Sequence, residues 1–146
     1  MNNENGYWSN STRIAIMSEE MSDEQEIAYK HLVELRKILC DVLKVGRRCC
    51  EVYKDAVEKA ANAGIEIIDG HALGFNVGVS PMEGPFLSLG DQTILEKNMI
   101  FILDGLVKYK SLLYRSRDTV LLEINEVKVI NDYKSWKEPY FALNTI

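Results

Sequence analysis

Few side chains in this 146-residue sequence stand where they could do chemistry. His71 lies in a glycine-flanked segment, and its imidazole could act as a general base or as a ligand to a single metal ion. The plainer alternative is a hydrogen-bonded imidazole in a partly buried cleft, because a base also needs an orienting partner and a reachable substrate. Cys40, Cys49 and Cys50 are odd in number and match neither a CxxC nor a His-spaced zinc pattern, so they read as reduced thiols of a cytosolic protein. Lys108, Lys110 and Arg115 make a basic spot too small to imply a partner. The acidic run from Glu19 to Glu26 reads as a solvated helix start favoured by the helix dipole.

Periodicity predicts the elements that must position these groups. From Gly6 to Met17, Tyr7, Trp8, Thr12, Ile14 and Ile16 alternate with small polar residues, which suits a strand over residues 6–17. Ser22 followed by Asp23, Glu24 and Gln25 forms a capping box, and Ile27, His31, Leu35, Ile38, Leu39 and Val42 then recur at helical spacing. This helix is expected to end at Gly46 in a left-handed cap. A second helix, about 49–63, carries Val52, Ala56, Val57 and Ala60 on its apolar side and stops at Gly64.

Residues 65–131 change to glycine-punctuated β segments, expected at about 72–79, 99–107, 115–124 and 127–130. Turns are expected at Pro81–Pro85 and Leu89–Asp91. The tail 132–146, with Trp136, Tyr140 and Phe141, is aromatic enough to pack on the body or on a partner subunit. Strand, two helices, then a run of strands predicts one α+β domain over residues 1–146, with two long helices on one face of a curved, mainly antiparallel sheet.

Composition sets the limits. With 47% hydrophobic and 27% charged residues the chain is expected to be globular, with Met99 and Phe101 in its core. The net charge of −5 provides no broad cationic face for nucleic acid or anionic lipid. Residues 1–6 lack the cationic start and apolar run of an export signal, and no stretch approaches the roughly 20 apolar residues of a membrane span.

Five phrases on this frame resemble, in order, those of the creatinase, prolidase and methionine aminopeptidase superfamily, whose fold is called pita-bread. Gly6-Tyr7-Trp8-Ser9-Asn10-Ser11-Thr12-Arg13 is similar to G-Y-x-S-D-x-T-R, and Leu43-Lys44-Val45-Gly46 to L-K-P-G. Gly70-His71-Ala72-Leu73-Gly74-Phe75 resembles G-H-G-I-G-L, and Thr93-Ile94-Leu95-Glu96-Lys97-Asn98-Met99-Ile100-Phe101 resembles T-V-L-E-P-G-M-V-F. Arg115-Ser116-Arg117-Asp118-Thr119-Val120 resembles R-I-E-D-T-V. Each phrase alone is weak, but their shared order is specific. The resemblance implies the second half of a pita-bread domain.

It also implies a site. Members hold two divalent ions, Mn, Co or Zn, with two Asp, one His and two Glu, and a bridging water is the nucleophile. His71 falls on the ligand His. The first Asp lies upstream of the matching residues, and the second falls on Asn10, whose amide offers one neutral oxygen. The first Glu falls on Asp104, a shorter acid. The second falls on Arg117, a permanent cation hostile to a dication. A further His, in the phrase V-H-E-x-P, falls on Gly78 of Val77-Gly78-Val79-Ser80-Pro81. What remains is His71 as candidate base and Asn10, Asp104 and Arg117 as candidate substrate-binding residues, with no metal ligand set and no cofactor expected. Arg117 with Asp104 and Asp118 is either a carboxylate-binding clamp or an internal salt bridge that substitutes for metal charge.

The resemblance leaves three functions. The first is a metal-free, non-catalytic module binding a protein or peptide, as the similar domain of the FACT histone chaperone's large subunit implies. The second is a metal-independent C–N hydrolase similar to creatinase, and the third a working Xaa-Pro aminopeptidase or dipeptidase. The first is expected, in a cytoplasmic protein without nucleic-acid or membrane partners. A homodimer is expected too, because a sheet edge left open by a missing upstream half invites self-association.

Overall fold

The structure, a computed structural model, describes residues 6, 8–131 and 138–142. Tyr7, Trp136 and most of the 132–146 tail lie outside the described residues.

Helix α1 spans Asp23–Val42 and opens with the expected capping box: Ser22 Oγ accepts from Gln25 N at 3.3 Å, and Gln25 Oε1 accepts from Ser22 N at 2.9 Å. Its buried face is Ala28, Tyr29, Leu32, Leu35, Arg36, Ile38, Leu39 and Val42, so Ile27, expected inside, is 37% exposed. The helix stops at Val42, with Leu43 as an extended C-cap, and not at Gly46. Gly46 does take φ +88°, but in the turn that follows, where its N–H donates to Leu95 O at 2.8 Å. Helix α2, Cys49–Asn62, ends as expected, with Ala63 at the cap and Gly64 at φ +73°.

Eight strands are found among the described residues: β1 Ala15–Ile16, β2 Glu66–Ile67, β3 Gly74–Asn76, β4 Glu83–Phe86, β5 Ile100–Tyr109, β6 Leu112–Leu122, β7 Val127–Val129 and β8 Tyr140–Phe141. The main sheet runs β4-β3-β5-β6-β7, with β2 also on β5, and all its pairings are antiparallel. The continuous strand expected over residues 6–17 is instead broken. Trp8 N donates to Gly78 O at 2.9 Å and Thr12 bridges to Arg117, while among the segment's described residues only β1 forms a strand, parallel to β8. The segment thus passes from the main sheet to a second, two-stranded one. Part of the expected Pro81–Pro85 turn belongs to β4, an edge strand, where the missing Pro85 N–H costs little.

Leu32, Leu35 and Leu39 of α1 and Val52 and Ala56 of α2 pack on Phe101, Leu103, Val107, Val120 and Leu122 of β5 and β6. This apolar layer is the core, and both helices cover the same sheet face. The opposite face holds a smaller cluster of Phe75, Val77 and Ile102, joined by Trp8, Phe86 and Ile100.

Candidate functional site

Strands β5 and β6 pair from Ile100↔Leu121 to Tyr109↔Leu112. Side chains alternate along a strand, so Phe101, Leu103 and Val107 face the helices while Ile102 and Asp104 face away. Asp104 is opposite Arg117, and Arg115, two residues before Arg117, shares that outer face.

Asp104 is 1% exposed and its carboxylate is saturated by guanidinium donors. Arg115 donates Nε to Oδ1 at 2.7 Å and Nη2 to Oδ2 at 2.5 Å. Arg117 donates Nε and Nη2 to Oδ2 at 3.1 and 3.0 Å. Burial pushes the Asp104 carboxyl up, but the hydrogen bonds and charges of Arg115 and Arg117 outweigh it and hold the group below the usual carboxylate range. Arg117 also stacks over the Phe75 ring at 5.8 Å.

His71 Nε2 lies 3.5 Å from Asp104 Oδ2. That nitrogen is buried with no hydrogen-bond partner among the described residues, so the two side chains are close without hydrogen-bond geometry. Asn10 borders the cluster through its main chain: its N–H donates to Thr119 Oγ1 at 3.1 Å, and that hydroxyl donates to Asn10 O at 2.9 Å. The structure therefore brings His71, Asp104 and Arg117 into contact, with Asn10 held beside Thr119, two residues beyond Arg117 on the same face. At Gly78 a Cβ would fall 2.5 Å from Glu83 Oε1, so the Glu83 carboxylate fills the room a longer side chain would need.

Asp118 does not join this cluster. Successive strand residues point to opposite faces, and Asp118 is buried on the helix side. There it accepts from Arg36 Nε at 2.7 Å and from Arg13 Nη2 at 2.6 Å. The expected grouping of Arg117 with both acids is corrected to two separate clusters. The basic spot also disperses: Lys108 pairs with Glu66 at 3.0 Å and Lys110 with Glu24 at 2.6 Å, and Arg115 alone reaches the site. The Arg115-Ser116-Arg117 alternation was the signal that could have placed both guanidiniums on Asp104, since a strand puts residues i and i+2 on one side. Arg36, on the apolar side of α1, was the corresponding signal for Asp118.

Cys40 is part-exposed while Cys49 and Cys50 are buried, and none of the three is disulfide-bonded. Burial, followed by the nearby Asp91 charge and Cys50, pushes the Cys49 thiol up to about 12, so it is no nucleophile near neutral pH.

These donors do not fit a pair of divalent ions. Among the described residues no three His, Cys, Asp or Glu side chains converge, and both oxygens of Asp104 already accept from cations. Nor, among the described residues, is any helix long and apolar enough to cross a membrane.

An antiparallel sheet with two helices on one face is the architecture of the C-terminal half of the pita-bread hydrolases. The chain matches the model of metallopeptidase family M24 over residues 2–123, and it belongs to that family. Among solved structures it is similar to the X-Pro aminopeptidase of Thermotoga maritima, with TM-score 0.81 and 20% identity over 93% of this chain and 38% of that one. The prolidase of Pyrococcus furiosus follows at TM-score 0.78 and 27% identity, over 89% of this chain and 39% of that one. The N-terminal domain of the FACT complex subunit SPT16 from Cicer arietinum (chickpea) has TM-score 0.72 and 18% identity, over 94% of this chain and 35% of that one. The chain thus spans between a third and two-fifths of the length of these structures. No curated protein matches it at comparable stringency.

Proposed function

We propose that this chain is a family member whose site no longer holds metal and which serves as a non-catalytic module for a protein or peptide partner. One observation carries the reading: the acid at the centre of the site, Asp104, is neutralised from within by Arg115 and Arg117. A dication approaching it would meet two permanent cations at ion-pair range and would have to displace their hydrogen bonds. The FACT subunit carries this architecture in a protein complex, in keeping with a binding role. A second reading, C–N bond hydrolysis with His71 as base and no metal, is favoured by the 3.5 Å approach of Nε2 to Asp104. It lacks the hydrogen bond that would orient the imidazole.

Elemental analysis, together with hydrolysis of an Xaa-Pro dipeptide in added Mn, Co or Zn, tests the proposal. The expected result is no stoichiometric metal and no cleavage. Two ions per chain, or metal-dependent cleavage, would overturn it. Turnover of a creatine-like amide in the presence of chelator would instead favour the second reading. Arg117→Glu, which places three potential ligands around one point, is expected to gain weak binding of a single Zn ion by calorimetry.

A further inference from the structure

The outer face of the β5–β6 hairpin carries an unbalanced charge. Two guanidiniums stand against one carboxylate, and Asp104 lies beneath them at 2% side-chain exposure while Arg115 is 40% and Arg117 24% exposed. Their bonds to Asp104 use Nε and Nη2 in both cases, so each Nη1 is left outside the ion pair. The excess is a single positive charge on a fixed, planar pair of forks, a geometry that suits carboxylate. Leu106 sits across from Arg115 in the ladder, and Leu113, 58% exposed, precedes Arg115 by two residues on the same face. The cation is therefore flanked by apolar side chains on two sides. The other lysines nearby are paired elsewhere, Lys108 with Glu66 and Lys110 with Glu24.

We infer that Arg115 and Arg117 form a carboxylate receptor for an acidic peptide segment, in which a Glu or Asp side chain between apolar residues lies on the outer face of the hairpin. This rests on the non-catalytic reading above and names the chemistry of its partner. Asp104 then acts as a positioning residue: it holds both guanidiniums in one orientation and tunes the net charge to one. Flanking leucines on two sides fit an internal acidic residue better than a chain end, which would leave one of them uncovered.

The test uses three leucine-rich, fluorescently labelled peptides: one with a central Glu and both ends blocked, its Gln counterpart, and the Gln peptide with a free C-terminal carboxylate. Binding is followed by anisotropy. The Glu peptide is expected to bind about tenfold more tightly than the blocked Gln peptide, as one charge-assisted hydrogen-bonded contact would give, and added salt should shrink the difference. Arg115→Gln should erase the preference while thermal unfolding confirms the fold. Arg115→Lys should keep part of it, because the charge survives without the fork. Lys110→Gln should leave it intact. Equal affinity for Glu and Gln peptides, absence of binding, tightest binding of the free C-terminus, or an unchanged preference in Arg115→Gln would each overturn the inference. Bound metal or dipeptide cleavage would instead sink the non-catalytic reading itself, so the two failures are distinguishable.

Discussion

Asp104 and Arg117 stand opposite one another on β5 and β6, and Arg117 holds Asp104 Oδ2 with two donors while Arg115 grips both oxygens from the same side. Removing the acid leaves two guanidiniums side by side with nothing between them. Asp104→Ala is therefore expected to lower stability by about 3 kcal/mol, the lower end for breaking a buried ion pair, because both arginines retain some solvent. Urea denaturation measures it. A loss under about 1 kcal/mol would mean that the arginines simply swing into water.

The same carboxylate shapes the acid limb of stability. Its folded pKa is depressed, so the unfolded chain binds the proton more readily, and the stabilisation is present above the ordinary carboxylate value and lost as pH falls through the lower folded one. Wild-type stability should fall below about pH 4, and Asp104→Asn should flatten part of that fall. Some slope should persist, since Asp55 is held low by Arg47, and Asp91, despite its burial, by the Phe86 and Thr93 donors. Denaturation midpoints across acid pH decide the matter.

On the helix side, Asp118 ties α1 to the entry segment through Arg36 and Arg13. Asp118→Asn should cost about 3–5 kcal/mol, because both cations lose their counter-charge in a buried place. Arg13→Gln should cost less, since that side chain is 21% exposed. Its effect should be local: hydrogen exchange should quicken at the Thr12 and Arg117 amides, which bond each other's carbonyls at 3.1 and 3.2 Å, and not along α1.

Cys49 should resist alkylation. A thiol raised to about 12 is thiolate to only about one part in ten thousand at pH 8, and it is also buried. Mass spectrometry after iodoacetamide should find Cys40 modified first and Cys49 only after unfolding. Early labelling of Cys49 would show that α2 opens readily.

Elements whose signals are local were legible in the sequence. The Ser22 and Gln25 reciprocal cap needs only residues three apart, and α1 begins where that pattern placed it. The end of α1 was not: Gly46 has the left-handed backbone expected, but its partner is Leu95, a long-range contact that no helical period reveals. The entry strand failed for the same reason, because alternation over residues 6–17 cannot show that Thr12 bridges Arg117 while Ala15 turns to Tyr140. In the site, resemblance led to His71, Asp104 and Arg117, and the structure gathers them. Charge and sequence proximity alone do not separate Arg115 from the surface lysines or Asp118 from Arg117; the strand alternation does, because neighbours in sequence point to opposite faces.

The two acid clusters also set the alignment of the hairpin. Arg117 and Asp118 are adjacent on β6 yet are held by opposing layers, one by Asp104 outside and the other by Arg36 within. Sliding β6 by a single position would invert every side chain, driving a guanidinium into the leucines of α1 and lifting Asp118 away from its cations. Such a misaligned hairpin would strand charge on both surfaces at once, so these ion pairs work as a key that admits one pairing of the strands whether or not they add net stability.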